Sequence, residues 1–584
     1  MILGATPSAA APRVAAGAAI CGLALLTFFQ FPGHTWLQQD MQIYAPILEH
    51  LRDPGALDRD LEVQYPHVSF TLYDELALGV QRATGLDFKH VLGAEQIVCR
   101  ALGIWGIFLM ATAAGLDTWA ALLAASIFSL GAMIAGPSVL TFEYEPTPRA
   151  LAIPLLLCAI GMVSRKRYTA AGIAAAAAFL IHPPSTVPFW IALLCISFSL
   201  RTSLRTAVPS PALPRPALVV ERGHRGVSSM AGKSMRLIGL GGRFAAGRAW
   251  PAWAALLCAI AVITVAAHLQ PGLREQQEFF TRLTPQQEGV QRMRTAYNWI
   301  SIWWRGLLPQ YVALYALAML AYARVKAYLT PELRVCSVIL PAMGMLSMPL
   351  SYLLLERLKW SLVPQLQPMR VLLYVTAFTV ILGSVAALKA TRILESAAWL
   401  ALVYYIPMRV QLFDAPTLRL ALTAIGLSAF TAAALRLPRP ALAIAGALAF
   451  FIIPGIGGVS NYPNLHTGEI ADLSHWARDN TPRAAMFLFP DAGHLLYPGL
   501  FRVDAMRAVY VDWKSGGQVN YLKDFAGEWG TRWDAMNREG FGAAAIPCYR
   551  SLGIDYLVLR QVHRLPGIEP VYGNSQYAVY RITE

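Results

Sequence analysis

Apolar runs long enough to cross a lipid bilayer recur from residue 12 to residue 456 of this chain. Each run holds about 18 to 22 residues, the length that a helix needs to span the hydrocarbon core. The sequence therefore predicts a polytopic helical membrane domain, residues 1–456, with roughly thirteen spans. The predicted spans are 12–31, 92–114, 118–136, 148–163, 168–182, 184–200, 250–268, 306–323, 335–355, 370–388, 394–411, 416–435 and 439–456.

The end of the chain, residues 457–584, contains no run of this kind. Only 14% of all residues are charged, against about 25% in soluble domains, yet this tail has an ordinary charge content. Its apolar patterns predict a small α/β domain, so that the predicted fold is mostly α with this domain appended. We expect strands at 486–489, 508–512, 556–560 and 577–582 and helices at 470–480 and 519–537.

The distribution of charge predicts the topology. Basic residues cluster in the connections after even-numbered spans, and the segment 201–249 holds nine Lys or Arg against the single acid Glu221. The loop 32–96 holds ten acids against four bases. Because Lys and Arg favour the cytoplasmic side, we expect a cytoplasmic N-terminus and an extracytoplasmic tail. The composition of segment 201–249 predicts a flexible cytoplasmic linker, which is either an ordinary solvated loop or a segment that lies on anionic headgroups.

Two other classes of protein are disfavoured by the same composition. The formal net charge is +14, but the tail holds twelve bases and thirteen acids, so a basic domain for nucleic acid is not expected. The seven cysteines are scattered without a CxxC pair, which argues against a zinc or disulfide framework.

The first extracytoplasmic loop, 32–96, predicts two interfacial helices, at 41–51 and 70–79, by its apolar spacing. Asp40 directly precedes the first of them. Its carboxylate could act as a general base or bind a divalent metal. It could equally cap the helix that begins at Met41, since Asp is favoured at that position.

A second acidic motif, Glu143-Tyr144-Glu145, lies between the third and fourth spans. Its carboxylates could hold one hard cation or stabilise the start of the following helix. Arg149 begins the fourth span on the side where the charge rule disfavours Arg. It needs a carboxylate or phosphate partner there, and pairing with Glu143 or Glu145 is the structural alternative.

Further polar residues lie at the same predicted face of the membrane. His182 closes the fifth span and either donates to a phosphate or ends a helix. Arg305 follows two tryptophans, which suits snorkelling at the interface, whereas Gln367 and Arg370 precede the tenth span. In the tail, Trp513 could stack on a sugar and Lys514 supplies a cation, although both could belong to an ordinary folded surface. The repeated outward arginines, Arg149, Arg305 and Arg370, predict an anion site.

Together these features resemble the C-type (GT-C) superfamily of integral-membrane glycosyltransferases. Three features carry the resemblance: a long first loop that starts with Asp40, the acidic motif at 143–145, and roughly thirteen spans ending in an outside α/β domain. The stretches around Asp40, 143–149, 367–370 and 502–514 look like a group of bacterial membrane proteins. The tail lacks the Trp-Trp-Asp-Tyr-Gly signature of oligosaccharyltransferases, so sequon-directed N-glycosylation is not expected.

The resemblance implies transfer of a sugar from a polyprenyl phosphate, with inversion, to an unidentified acceptor outside a bacterial inner membrane. Asp40 would be the general base or organise a metal. Glu143 and Glu145 would hold the acceptor or a cation. A divalent metal is optional in the superfamily, and Asp40 and Glu145 would be the ligands of Mg²⁺ or Mn²⁺ if one is used. Arg149, Arg370 and His182 would stabilise the departing phosphate.

Two alternatives stay open at this stage. A transporter or flippase of lipid-linked saccharides needs polar groups along a whole transmembrane path, whereas the ionisable candidates here cluster at one face. A non-catalytic scaffold would tolerate the loss of Asp40, and the sequence alone does not exclude it.

Overall fold

In the computed structural model, residues 11–65, 71–205, 231–270, 280–412, 415–457 and 465–582 are described. Each of the thirteen predicted spans coincides with a helix in these ranges, which confirms the mostly α fold. The helices are Ala11–Phe29, Phe88–Ala113, Thr118–Ser129, Pro148–Ser164, Tyr168–Ile181, Pro183–Arg205, Ala231–Leu269, Leu307–Val325, Pro331–Ser351, Leu373–Lys389, Ile393–Gln411, Thr417–Ala434 and Ala441–Ile452.

The helical part is that of a multi-pass membrane protein. Within the described ranges, five helical stretches are long and apolar enough to cross a membrane, and further apolar helices are shorter. The five stretches are Phe88–Ala113, Ala249–Leu269, Pro331–Arg357, Val363–Lys389 and Thr417–Ala434.

Two glycines let a central pair of these helices approach closely. A Cβ on Gly106 would lie 2.3 Å from the Leu157 carbonyl oxygen, and one on Gly161 would lie 2.4 Å from that of Gly106. Small residues permit such contact between helices in lipid. The contact sets the Pro148–Ser164 helix, which carries Arg149, against Phe88–Ala113.

The connections differ from the prediction in three places. The predicted span 118–136 ends at Ser129, because Gly131 precedes a short antiparallel hairpin of β1 (Met133–Ile134) and β2 (Val139–Leu140), and Gly136 lies in the turn between these strands. In the predicted linker, the backbone of 231–249 is helical instead of flexible, and residues 206–230 lie outside the described ranges.

The first loop contains the expected helix Met41–Arg52, a short Leu61–Gln64 helix and Tyr73–Thr84. The last of these runs five residues beyond the predicted 70–79, because its C-cap is Gly85 in a left-handed conformation, φ 73°. Residue 70 lies outside the described ranges.

The tail forms a five-stranded mixed sheet. The strands are β3 (Met486–Leu488), β4 (Ala508–Val509), β5 (Tyr556–Arg560), β6 (Tyr572–Gly573) and β7 (Tyr577–Arg581), and their order is β4-β3-β5-β7-β6. β3 is parallel to β4 and β5, whereas β7 is antiparallel to β5 and β6.

Helices Gly468–Asn480, Tyr497–Ala505, Lys523–Glu539 and Ile546–Ser551 pack around this sheet. The predicted strand 508–512 is shorter, and β6 was not predicted. The predicted helix 519–537 is divided into a 3₁₀ turn, Ser515–Asn520, and Lys523–Glu539. This division matters for the site, because the 3₁₀ turn approaches the first loop.

Candidate active site

A polar cavity of about 490 Å³ lies where the first loop, the segment after β2 and the tail meet. Seven of the ten residues predicted from the sequence line it, although they come from distant parts of the chain. They are Asp40, Glu143, Glu145, Arg149, Arg370, Trp513 and Lys514.

Asp40 lies between two cations. One carboxylate oxygen is 2.6 Å from Lys514 Nζ and the other is 3.0 Å from Arg149 Nη2. The Asp40 side chain is 30% exposed and accepts no hydrogen bond from the first turn of the helix that follows. The interpretation of Asp40 as the side-chain cap of this helix is therefore wrong. Burial opposes ionisation, but the attraction of Lys514 and Arg149 outweighs it and holds the Asp40 pKa well below its usual range.

The two glutamates of the acidic motif have different partners. Glu143 accepts a hydrogen bond from Arg149 Nε at 3.2 Å. This contact is the pairing of Arg149 with an acidic-motif glutamate that was the structural alternative for Arg149. Glu145 instead accepts backbone N–H groups from Gln38, Gln39 and Met41 at 2.5, 2.9 and 2.9 Å. Burial raises the Glu145 pKa to about 7, against the opposing effect of these N–H donors.

Two buried residues that the sequence analysis missed hold the backbone of the acidic motif at Glu143. Arg100, 1% exposed, donates to the carbonyl oxygens of Thr27, Gly33 and Glu143 at 2.5, 2.9 and 2.7 Å. Gln96 donates to the Glu143 carbonyl at 2.8 Å. An Arg inside a predicted span is itself a signal, and it could have identified Arg100.

The turn that presents Lys514 is built by buried charges. Asp512 Oδ1 accepts the backbone N–H groups of Lys514 and Ser515 at 2.8 and 3.1 Å. The other Asp512 oxygen pairs with Arg502, which also donates to Asp60 of the first loop at 2.7 Å. Arg502 therefore connects the tail to the first loop and positions Lys514.

Arg294 is a further cavity residue that the sequence analysis missed. It lies at the end of the Pro285–Arg294 helix and donates to the carbonyl oxygens of Trp513 and Lys514 at 2.5 and 3.1 Å. Its guanidinium lies 4.8 Å from the Trp513 ring centre, and His494 stacks on that ring at 3.8 Å. Trp513 is thus already in contact with two protein groups, and its stacking on a sugar stays a prediction.

An apolar groove of about 410 Å³ adjoins the cavity. The predicted residues His182 and Gln367 line it, and Arg149 and Arg370 line both spaces. His182 Nδ1 lies 2.9 Å from Ser185 Oγ, and Gln367 donates to the Tyr521 hydroxyl at 3.3 Å.

The walls of this groove come from the helices Pro183–Arg205 and Pro331–Ser351. Val187, Leu346 and Leu350 of these walls are 48%, 65% and 48% exposed. The groove therefore opens sideways along the helix bundle, toward the side that faces lipid.

Arg370 stands at the junction of cavity and groove. Within the described ranges its side chain has no hydrogen bond or ion pair, and its buried Nε has no partner. Burial and the neighbouring Arg149 both disfavour an isolated cation here. Arg305, by contrast, is exposed and lines neither space, so the predicted group of three arginines reduces to Arg149 and Arg370.

The predicted Mg²⁺ or Mn²⁺ does not fit these contacts. Both Asp40 oxygens face cations, and Glu145 is engaged by three backbone amides. Among the described residues, no group of three His, Cys, Asp or Glu side chains is arranged around a common metal position.

Fold and site together define a multi-pass helical membrane protein whose polar cavity and apolar groove meet at two arginines. The chain is similar to ArnT from Cupriavidus metallidurans at 13% identity and a TM-score of 0.49, with 99% of each chain covered. It is also similar to the mycobacterial arabinofuranosyltransferase AftD at 15% identity and a TM-score of 0.42, covering 98% of this chain and 40% of AftD.

Both likenesses lie below 25% identity and below a TM-score of 0.5. Their identities and TM-scores are too low to transfer an activity. Residues 468–536 match a domain of unknown function, DUF6798, and no curated protein matches significantly.

Proposed function

We propose that this protein is a membrane glycosyltransferase that moves a sugar from a polyprenyl phosphate to an extracytoplasmic acceptor at a bacterial inner membrane. The observation that carries the proposal is Arg370, which lies beside Arg149 without a partner among the described residues, where the groove meets the cavity. The basic connections and the acidic first loop favour a cytoplasmic N-terminus and an outward-facing cavity.

The two spaces match the two chemical parts of such a donor. The lateral groove suits a polyprenyl chain, because the chain would contact the apolar walls of the groove and would bury no polar group there. A phosphate at the junction would give Arg370 the acceptor that it lacks and would share the guanidinium of Arg149. Arginine-phosphate hydrogen bonds are among the strong ones because both partners are charged. The sugar would then lie in the cavity beside Asp40.

The reaction follows from this placement. The acceptor oxygen forms a bond to the anomeric carbon while the bond from that carbon to the phosphate oxygen breaks. The electron pair of the broken bond goes to the phosphate, where Arg149, Arg370 and Lys514 stabilise the developing charge. The proton of the acceptor passes to Asp40, and attack opposite to the leaving group inverts the anomeric centre.

Asp40 is a weak base in the free protein, since two cations hold its pKa low. A donor phosphate would compete with Asp40 for Arg149 and Lys514, which are part of the same cavity. The carboxylate would therefore become more basic when the donor is bound, which is the state in which a base is needed.

The experiment is transfer of radiolabelled sugar from a panel of polyprenyl-phosphate sugars by wild type, Arg370→Ala and Arg305→Ala in nanodiscs. Arg305 is the matched control, since it is an exposed arginine that lines neither space. We expect transfer by wild type and the control and a large loss in Arg370→Ala. Equal transfer by all three would contradict the site, and no transfer from any donor would favour a transporter or a scaffold.

A further inference from the structure

The helix Met41–Arg52 receives its capping acceptor from a distant segment. The Met41 N–H donates to Glu145 Oε2 at 2.9 Å, and the N–H groups of Gln38 and Gln39 donate to Oε1 at 2.5 and 2.9 Å. Glu145 is 5% exposed, so these amides take the place of water as the hydrogen-bond donors to its carboxylate. Three N–H groups of one turn thus converge on a single carboxylate.

Asp40 stands at the N-cap position of this helix but does not perform the N-cap role. An N-cap residue has extended backbone angles and its side chain accepts from the first turn. Asp40 instead has helical angles, φ −67° and ψ −24°, and makes no such bond. Its carboxylate points to Lys514 and Arg149. Glu145 satisfies the first N–H group of the helix, that of Met41, and backbone carbonyls accept from Gln42 and Ile43. The Asp40 side chain is therefore available to the cavity.

The turn before Asp40 is one that its own sequence disfavours. Leu37 has a φ of 56° and is fully buried, although bulky residues rarely adopt this left-handed region. The Leu37 carbonyl accepts from Gln42 Nε2 at 2.7 Å. Such a conformation persists only when its surroundings determine it, and the Glu145 carboxylate provides three of the contacts that do so.

We propose that Glu145 is a positioning residue that replaces Asp40 as the cap of this helix and so holds the Asp40 carboxylate in the cavity. Without Glu145, the Asp40 carboxylate turns back and shares the backbone N–H groups of Gln42 and Ile43, which here donate to the carbonyl oxygens of Gln39 and Asp40 at 3.2 and 2.9 Å. Arg149 and Lys514 then lose a shared partner. Only the effect on transfer rests on the proposed function; the exchange of caps does not.

The first test is amide hydrogen exchange in nanodiscs, resolved to single residues, on wild type and Glu145→Gln. Glutamine removes the charge and keeps only one of the two acceptor oxygens. A hydrogen bond to a charged group contributes about 1.5–3 kcal/mol. At pH 8, above the Glu145 pKa of about 7, exchange should therefore accelerate within the set Gln38, Gln39 and Met41, by about 10-fold or more at the amides that lose their acceptor. Glu143→Gln is the matched control, because Glu143 lies two positions away and does not accept from these amides. It should leave their exchange unchanged.

The second test detects the exchange of caps itself. Asp40→Ala in the wild-type background should leave the amides of Gln42 and Ile43 unaffected. The same substitution in the Glu145→Gln background should accelerate their exchange, because Asp40 has become the cap there. Glu145→Asp, which keeps the charge on a shorter side chain, should restore part of the protection and serves if Glu145→Gln folds poorly.

Kinetics separate positioning from plain stability. Glu145→Gln should lower kcat with little change in the donor KM, and Asp40→Asn/Glu145→Gln should be no slower than Asp40→Asn alone. Unchanged amide exchange at Gln38, Gln39 and Met41 in Glu145→Gln would overturn the proposal. A loss of protection throughout the membrane helices of that variant would also overturn it. So would an effect of Asp40→Ala that is equal in the wild-type and Glu145→Gln backgrounds. Absence of transfer in wild type would contradict the proposed function but not the exchange of caps.

Discussion

Replacing Arg370 with alanine separates ligand binding from stability. In the free protein this guanidinium has no hydrogen bond or ion pair among the described residues, and its Nε is buried. Its removal therefore breaks no hydrogen bond or ion pair among the described residues and should leave the thermal midpoint unchanged or slightly raised. If it binds the donor phosphate, each lost charged hydrogen bond costs about 1.5–3 kcal/mol, and Kd should rise by about 10- to 150-fold.

Arg149→Ala provides the contrast. Arg149 pairs with Asp40 and Glu143, so its loss leaves the buried Glu143 without its cation and Asp40 with Lys514 alone. Removing one partner of a buried pair costs about 3–5 kcal/mol. Arg149→Ala should therefore weaken both binding and stability, whereas Arg370→Ala weakens binding alone.

The assay is titration of undecaprenyl phosphate into each variant in nanodiscs, followed by tryptophan fluorescence, with the thermal midpoint measured on the same samples. Arg305→Ala is the control for a general loss of positive charge. If Arg370→Ala binds undecaprenyl phosphate as tightly as wild type, or unfolds at a clearly lower temperature, the assignment of Arg370 as an unpaired phosphate ligand is refuted.

Three further predictions concern the framework of the site. Arg502→Ala leaves the buried carboxylates of Asp60 and Asp512 without their cation. It should lower the free energy of unfolding, measured by denaturant titration, by about 3–5 kcal/mol. A decrease below about 1 kcal/mol would contradict the role of Arg502 in connecting the tail to the first loop. Burial and then the neighbouring Glu75 raise the pKa of Asp74 to about 8, so its ionisation opposes folding increasingly as pH rises from about 4 to 8. Asp74→Asn should therefore raise the thermal midpoint more at pH 8 than at pH 5, and an equal effect at both would contradict the shift. A Cβ at Gly517 would lie 2.8 Å from Ile43 Cδ1, so Gly517→Val should lower stability by about 1–3 kcal/mol, and an unchanged midpoint would show that the two loops separate without cost.

The positions of the helices could be predicted from the sequence because the length of an apolar run is a local property. The sequence does not predict where a helix ends, or whether a polar segment is helical, when tertiary contacts decide the conformation. The run 118–136 looked like one span, but two glycines divide it into a helix and a hairpin. The segment 231–249 has a linker-like composition and yet continues a helix.

Candidate residues could be found by their type and position, but their partners could not. Glu145 and the turn around Asp40 lie 104 to 107 positions apart in the chain, and no local pattern joins them. Arg305 and Arg370 have similar contexts in the sequence, each at the start of a predicted span. Only the fold shows that Arg370 lines the cavity and the groove while Arg305 lies outside them.

The most direct test of the account is the initial rate of sugar transfer from polyprenyl-phosphate donors by wild type and Asp40→Asn at matched protein levels. The substitution keeps the size of the side chain but removes the base and the partner of Lys514 and Arg149. We expect transfer by wild type and an initial rate lower by about 100-fold or more in Asp40→Asn. Transfer at the wild-type rate by Asp40→Asn would contradict the placement of the reaction in this cavity.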